Sequence, residues 1–219
     1  MNTESRTTRR QFLKEAGLVA GSAAIGSLTL LSGCKPSSTE STIPVSSSVT
    51  QDTIYTVPVI ETSGLPPAEG FVYKAPSDPP PVMKIPGCTT NAALDRKYIM
   101  EHMWVKMVAQ DVVVTGITEK MAALISFLYE LSLPAEGIQL KRGENYIYAH
   151  GAKLSLDFPN PVSGVVLQKN NEIYTELTMT VIGDPYNRGW FNTVKLSNPE
   201  EWDELLTPQQ YADLNTKVL

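Results

Sequence analysis

Few residues in this chain of 219 have types and spacings that could do chemistry. It holds two cysteines, Cys34 and Cys88, and two histidines, His102 and His150. No CxxC, CxxCH or HExxH occurs, so the usual spacings for a dithiol centre, a c-type haem or a zinc protease are missing. Met100, Met103 and Met107 with His102 offer thioether and imidazole donors of the kind that suit Cu(I). On a strand, however, Met103 and Met107 share one face while Met100 and His102 share the other. The spacing divides the set, packing is the better use of these methionines, and no metal site is expected. His150 stands close to Lys153, where a turn histidine is its simplest role. No nucleophile, base and orienting group line up, so an active site of its own is not expected. Cys34 closes the run Leu31-Ser32-Gly33-Cys34, a pattern in which small residues admit a peptidase and the thiol receives a lipid.

The segments around Cys34 read as an address. Thr8-Arg9-Arg10-Gln11-Phe12-Leu13-Lys14 reads as a twin-arginine signal. The apolar stretch from Ala16 to Leu31 follows, interrupted by Gly17, Gly21 and Gly26. It is shorter than the roughly 20 residues a spanning helix needs. A cleaved signal over residues 1–34 is therefore expected, with the mature chain exported by the twin-arginine route and held at the membrane through lipidated Cys34. Residues 35–94 are rich in Ser, Thr and Pro, as in Ser46-Ser47-Ser48 and Pro79-Pro80-Pro81. Such composition buries little apolar surface and favours an extended spacer, so this segment reads as a tether. Ile54 to Ile60 could form one docked strand within it. Once Cys34 is acylated, Cys88 is the remaining thiol, able to pair between chains or to meet a dithiol. A net charge of −5 gives no support for nucleic-acid binding.

Residues 95–219 carry the folded domain. Short segments of period two separated by turn residues predict a β-rich architecture. Tyr98 to Val108, Val112 to Gly116, Phe127 to Leu133, Val162 to Gln168, Ile173 to Ile182 and Trp190 to Leu196 read as strands, with two more short ones punctuated by Gly137 and Gly143. Thr118 can cap a short helix ending near Ile125, with Glu119 in its first turn. Pro199 and Pro208 suit the first turns of two C-terminal helices. Asn145 to Tyr148 and Lys153 to Phe158 flank Ala149-His150-Gly151-Ala152, which predicts a hairpin whose tight turn uses glycine's access to positive φ. Many short strands of this kind indicate a small sandwich or barrel.

Several of these segments resemble one known family. Tyr98-Ile99-Met100-Glu101-His102-Met103-Trp104-Val105 resembles the opening strand of glycine cleavage H proteins, and Val114-Thr115-Gly116-Ile117-Thr118 their next strand and turn. Leu133-Pro134-Ala135-Glu136-Gly137, Pro161-Val162-Ser163-Gly164 and Gly183-Asp184-Pro185-Tyr186-Asn187-Arg188-Gly189-Trp190 resemble further signatures, and Leu205 to Tyr211 fits the last helix. The resemblance covers Arg96 to Leu214. It implies a mainly β, lipoyl-domain-like barrel-sandwich hybrid with short helices, including the C-terminal helical tail.

The resemblance also implies a site. The family's modified lysine precedes Pro-Val-Ser-Gly by a fixed distance, and here that position is Lys153, eight residues before Pro161. Asp157 falls where the family places an aspartate. Lys153 would bear lipoic acid as an amide, and partner enzymes would perform the chemistry while the chain presents the arm. The resemblance thus implies a carrier and not an enzyme. The family commonly reads Glu-Ser-x-Lys at the turn, whereas this chain reads His150-Gly151-Ala152-Lys153. Three functions follow: an H-protein-type lipoyl carrier outside the cytoplasm, an authentic glycine cleavage component, which the address opposes, and an unmodified binding or scaffold module that kept the fold.

Overall fold

The computed structural model describes residue 60 and residues 62–216. The signal, Cys34 and most of the expected tether, including its Ile54 to Val59 segment, lie outside the described residues. Eleven strands are assigned among the described residues: β1 (Val82–Lys84), β2 (Asn91–Ala93), β3 (Lys97–Tyr98), β4 (Met103–Ala109), β5 (Val112–Ile117), β6 (Leu128–Ser132), β7 (Gln139–Leu140), β8 (Asn145–Gly151), β9 (Ser155–Pro159), β10 (Gly164–Lys169) and β11 (Trp190–Leu196). Three α-helices accompany them: α1 (Glu119–Ile125), α2 (Leu177–Val181) and α3 (Pro208–Thr216). Short 3-10 turns cover Glu172–Tyr174 and Pro199–Trp202.

The strands pair antiparallel into two main sheets. The larger has the order β3-β4-β5-β11-β10-β7 and the smaller β6-β8-β9, while β1 and β2 form a separate hairpin. Side-chain alternation sorts the larger sheet into two faces. Met103, Ile117 and Phe191 point to one face and meet Leu131, Ile147, Ala149 and Phe158 of the smaller sheet. Their neighbours Trp104, Val114 and Trp190 point to the other face. This is the β-rich sandwich that the period-two segments predict.

Local rules account for the α1 corner. Thr118 caps α1, its hydroxyl accepting the Met121 N–H at 3.2 Å. The helix buries Met121, Ala122 and Ile125, and ends at Ser126, whose φ of +60° turns the chain into β6. Gly116 is demanded by packing, because the Trp104 ring lies about where a β-carbon would stand, at 2.5 Å.

Three expectations are corrected. The strand read over Tyr98 to Val108 is a hairpin of β3 and β4, closed by the Ile99 N–H donating to the Met103 carbonyl, with His102 at φ +63°. The strand read over Ile173 to Ile182 is helical. The Asn170 side chain accepts the Glu172 N–H and starts a 3-10 turn, and Ile173 and Val181 reach the core from that turn and from α2. β-branched residues gave a strand pattern that tertiary docking overrode. Finally, the tether does not persist to residue 94. Tyr73, Ile85, Ala92 and Ala93 are buried against the outer face of the larger sheet, so the packed unit begins well before residue 95.

Candidate functional site

Lys153 stands at the tip of the β8–β9 hairpin and is exposed. The paired residues below it are His150 with Ser155, Ala149 with Leu156 and Tyr148 with Asp157. The Gly151 N–H donates to the Leu154 carbonyl at 2.9 Å, leaving Ala152 and Lys153 as the turn. Among the described residues no hydrogen bond or ion pair engages the Lys153 amine. The tip itself is braced from behind. The Ala152 N–H donates to the Phe127 carbonyl at 3.0 Å, tying the turn to the α1–β6 corner.

Gly151 has a different role from the expected one. Its φ is not positive, and a β-carbon there would stand 2.7 Å from Ile125 Cγ2 and 2.8 Å from the Phe127 carbonyl oxygen. The glycine lets β8 press against the α1–β6 corner, which holds the tip in place. The departure from Glu-Ser-x-Lys at this position therefore has a packing reason in this chain.

The outward face of the smaller sheet carries polar and aromatic groups below the turn. His150 Nδ1 lies 2.6 Å from Ser155 Oγ, the residue opposite it in register. Tyr129 lies 5.6 Å from the His150 ring, and Phe127 lies 5.1 Å from Tyr129. Tyr129 is the bulged residue between Leu128 and Glu130, and both aromatics are about half exposed or more. Asp157 is exposed on β9 beside Tyr148. The open edge of β6 is covered by Thr178 of α2, whose hydroxyl accepts the Leu128 N–H at 3.1 Å and donates to the Leu128 carbonyl at 2.9 Å. Phe127, Tyr129 and Thr178 had no motif to single them out; only the i, i+2 spacing of the two aromatics hinted at a shared face.

The other residues considered for chemistry lie elsewhere. Met103 is in the core, Met107 packs at the far end of it, and Met100 is exposed in the β3–β4 turn, so the methionines form no cluster. His102 is engaged with the C-terminal helix. Its Nδ1 lies 2.8 Å from the Tyr211 hydroxyl, which in turn donates to Thr118 Oγ1 at 3.1 Å. These contacts tie the β3–β4 turn to the start of α1 and to the C-terminal helix. Burial, reinforced by the Lys120 ammonium, pushes the His102 pKa down to about 4. Cys88 is buried under the outer face beside Ile85 and Tyr98.

Lys153 fits a covalently attached acyl cofactor. The amine is unburied, the turn is short, and a packed base keeps the tip from collapsing. Lipoic acid bound there would supply a dithiolane able to carry a group or exchange electrons. The chain's own part would be to hold the amine clear of the surface on a braced turn.

Comparison with known proteins agrees with this geometry. The family model described as glycine cleavage H-protein matches residues 96–218. The glycine cleavage system H protein of Carboxydothermus hydrogenoformans is 35% identical over 120 residues, covering 55% of this chain and 91% of that protein. The probable glycine cleavage system H protein 2 of Sulfolobus acidocaldarius is 34% identical over 109 residues, covering 49% of this chain and 72% of that protein. The crystal structure of a glycine cleavage system H protein from Mycobacterium marinum superposes with a TM-score of 0.51 at 28% identity, covering 56% of this chain and 97% of that one. The chain thus belongs to the glycine cleavage H-protein family, whose members are non-enzymatic carriers that hold lipoic acid on a lysine and serve partner enzymes.

Proposed function

We propose that this protein is a lipoyl carrier that bears lipoic acid on Lys153 and serves lipoyl-dependent enzymes outside the cytoplasm, held to the membrane through lipidated Cys34. The observation that carries the reading is the exposed, unengaged lysine on a two-residue turn whose base is locked by Gly151 and Phe127. A carrier needs an amine that a modifying enzyme can surround and a scaffold that does not move with it. The export route rests on the arginine pair, the apolar stretch and the Leu-Ser-Gly-Cys run. A twin-arginine route suits a domain loaded before export, because that system resembles a folded-protein exporter.

The test is the intact mass of the mature protein from its native host, with peptide mapping across Lys153. A lipoyl increment on Lys153 and an acylated Cys34 are expected. An unmodified Lys153, in cells whose other lipoyl proteins are loaded, overturns the carrier reading. The second reading is a binding or scaffold module that kept the fold without the cofactor. It is favoured by the turn sequence His150-Gly151-Ala152, which lacks the family's glutamate and serine.

A further inference from the structure

The segment preceding the family match has its own architecture. Residues 62–94 lie outside residues 96–218 and cross the outer face of the larger sheet. Contacts occur along its whole length. The Gln110 N–H donates to the Pro66 carbonyl at 2.8 Å. Tyr73 packs edge-on against Trp190 at 5.2 Å, and its backbone exchanges two hydrogen bonds with the Gln168 side chain. Asn187 donates to the Asp78 carbonyl at 3.1 Å, and Tyr186 donates to the Asn91 carbonyl at 2.7 Å. Ile85, Ala92 and Ala93 are fully buried.

The two ends of the sandwich differ in what they hold. β4 runs from Met103, in the cluster with Ile125 and Leu154, toward Val105 and the Asp111 turn. β5 returns from Val113 to Ile117, and β8 runs from Tyr146 to Ala149 in that same direction. The Lys153 hairpin therefore stands at the end marked by Ile125 and Leu154. Ile60 packs with the cluster of Leu196 and Trp202 at the other end, where a cavity of about 610 Å³ is lined by Ile60, Leu65, Asp111 and Trp202. The segment thus joins the domain on the layer away from the smaller sheet and at the end away from Lys153.

We infer that residues 62–94 are an orienting strap, fixing the N-terminal lead to the pole of the domain opposite Lys153. A carrier on a loose tether would tumble and present its lysine in all directions. Strapped at the far pole, a chain anchored through its N-terminal side presents Lys153 away from the anchoring surface. The strap itself follows from the packing; its consequence at a membrane rests on the anchoring proposed above.

The experiment places a ketone-bearing amino acid for spin labelling at positions 62 and 152 of the full mature chain, leaving Lys153 intact, and measures the distance between labels. One long, narrow distribution is expected. The double variant Tyr73→Ala/Gln168→Ala releases the strap and broadens it, and Gln168→Ala alone, which removes both backbone-to-side-chain bonds and little core, does so partly. A broad distribution in the unsubstituted strap, or a short distance, overturns the inference. The same protein is then mixed with phospholipid vesicles and floated. Failure to co-float removes the anchoring and leaves the distance result standing, so the two ideas fail separately. Where it co-floats, the spin label at position 152, beside Lys153, is expected to be reduced by ascorbate added outside the vesicles as fast as in detergent. Marked protection would overturn the outward presentation.

Discussion

Two cations in this domain receive opposite treatment. Lys153 is exposed at a hairpin tip with its amine unengaged, on a base packed against Ile125 and Phe127. Arg96 is 1% exposed on the other side of the larger sheet, its guanidinium 4.4 Å from the Trp104 ring and 5.0 Å from the Tyr186 ring. Arg96 donates to the Asp95 carboxylate at 2.8 Å and to the Tyr186 carbonyl at 2.8 Å, and Lys106 meets the same carboxylate at 2.6 Å. Burial alone would raise the Asp95 pKa, but Arg96 and Lys106 outweigh it and hold the carboxyl below its ordinary value. A buried charge needs its donors matched, whereas a lysine proposed for modification needs its amine free of partners. The same domain therefore leaves one cation where no packing depends on its charge and commits the other where the packing does.

The contrast can be broken most completely at Lys153. Lys153→Arg keeps the charge and should abolish any lipoyl increment in the intact mass while leaving the thermal midpoint within about a degree, since exposed substitutions shift stability by about 0.5 kcal/mol or less. Arg96→Ala should do the reverse. It leaves the Tyr186 carbonyl without its donor and Asp95 with Lys106 alone, and it empties the space between the Trp104 and Tyr186 rings, so a loss of about 3–5 kcal/mol in urea unfolding is expected, with Lys153 still modified in molecules that fold. A loss under about 1 kcal/mol would show that the guanidinium is less committed than its contacts suggest.

His102 sharpens the comparison through pH. Its folded pKa of about 4 lies below the ordinary 6.5, so between those values the unfolded chain binds the proton first. The stability it contributes is complete above about pH 6.5 and is lost as pH falls toward 4, by about 3 kcal/mol at most. Urea midpoints measured across that window should fall in the parent and flatten in His102→Asn, whose residue tolerates the positive φ. An equal slope in both proteins would remove His102 as the source. Gly151→Ala tests the brace: its β-carbon meets Ile125 and Phe127, so a cost of about 1–3 kcal/mol is expected, together with slower modification of Lys153. Modification at the parental rate would mean that the brace is not needed for recognition. The smallest effect is expected at Thr118→Ala, which removes the α1 cap and the acceptor of the Tyr211 hydroxyl, for about 1–2 kcal/mol by chemical denaturation.

Much of this arrangement was legible in the order of residues. Thr118 before an apolar helical period gave α1, Pro199 and Pro208 gave the C-terminal turns, and the segments around Lys153 gave the β8–β9 hairpin on which the proposed site stands. These features are local, set by backbone donors, fixed proline φ and short spacings. What escaped the sequence was set by distant partners. Ile173 to Ile182 has the composition of a strand and becomes helical because Asn170 turns the chain and α2 docks on β6. Gly151 reads as a turn glycine, yet Ile125 and Phe127 decide its identity.

The sequence by itself determined that there would be a β-rich domain of a carrier family, with Lys153 in a hairpin turn and a Pro-rich lead before it, because period, punctuation and motif spacing need no knowledge of neighbours. Only the tertiary structure decided that the last part of that lead is a buried strap, that Arg96 is the structural cation, and that Lys153 and the incoming chain occupy opposite ends. Those are outcomes of which side chains meet across the sheets, and a long-range meeting leaves no fixed spacing in the chain for a reader to find.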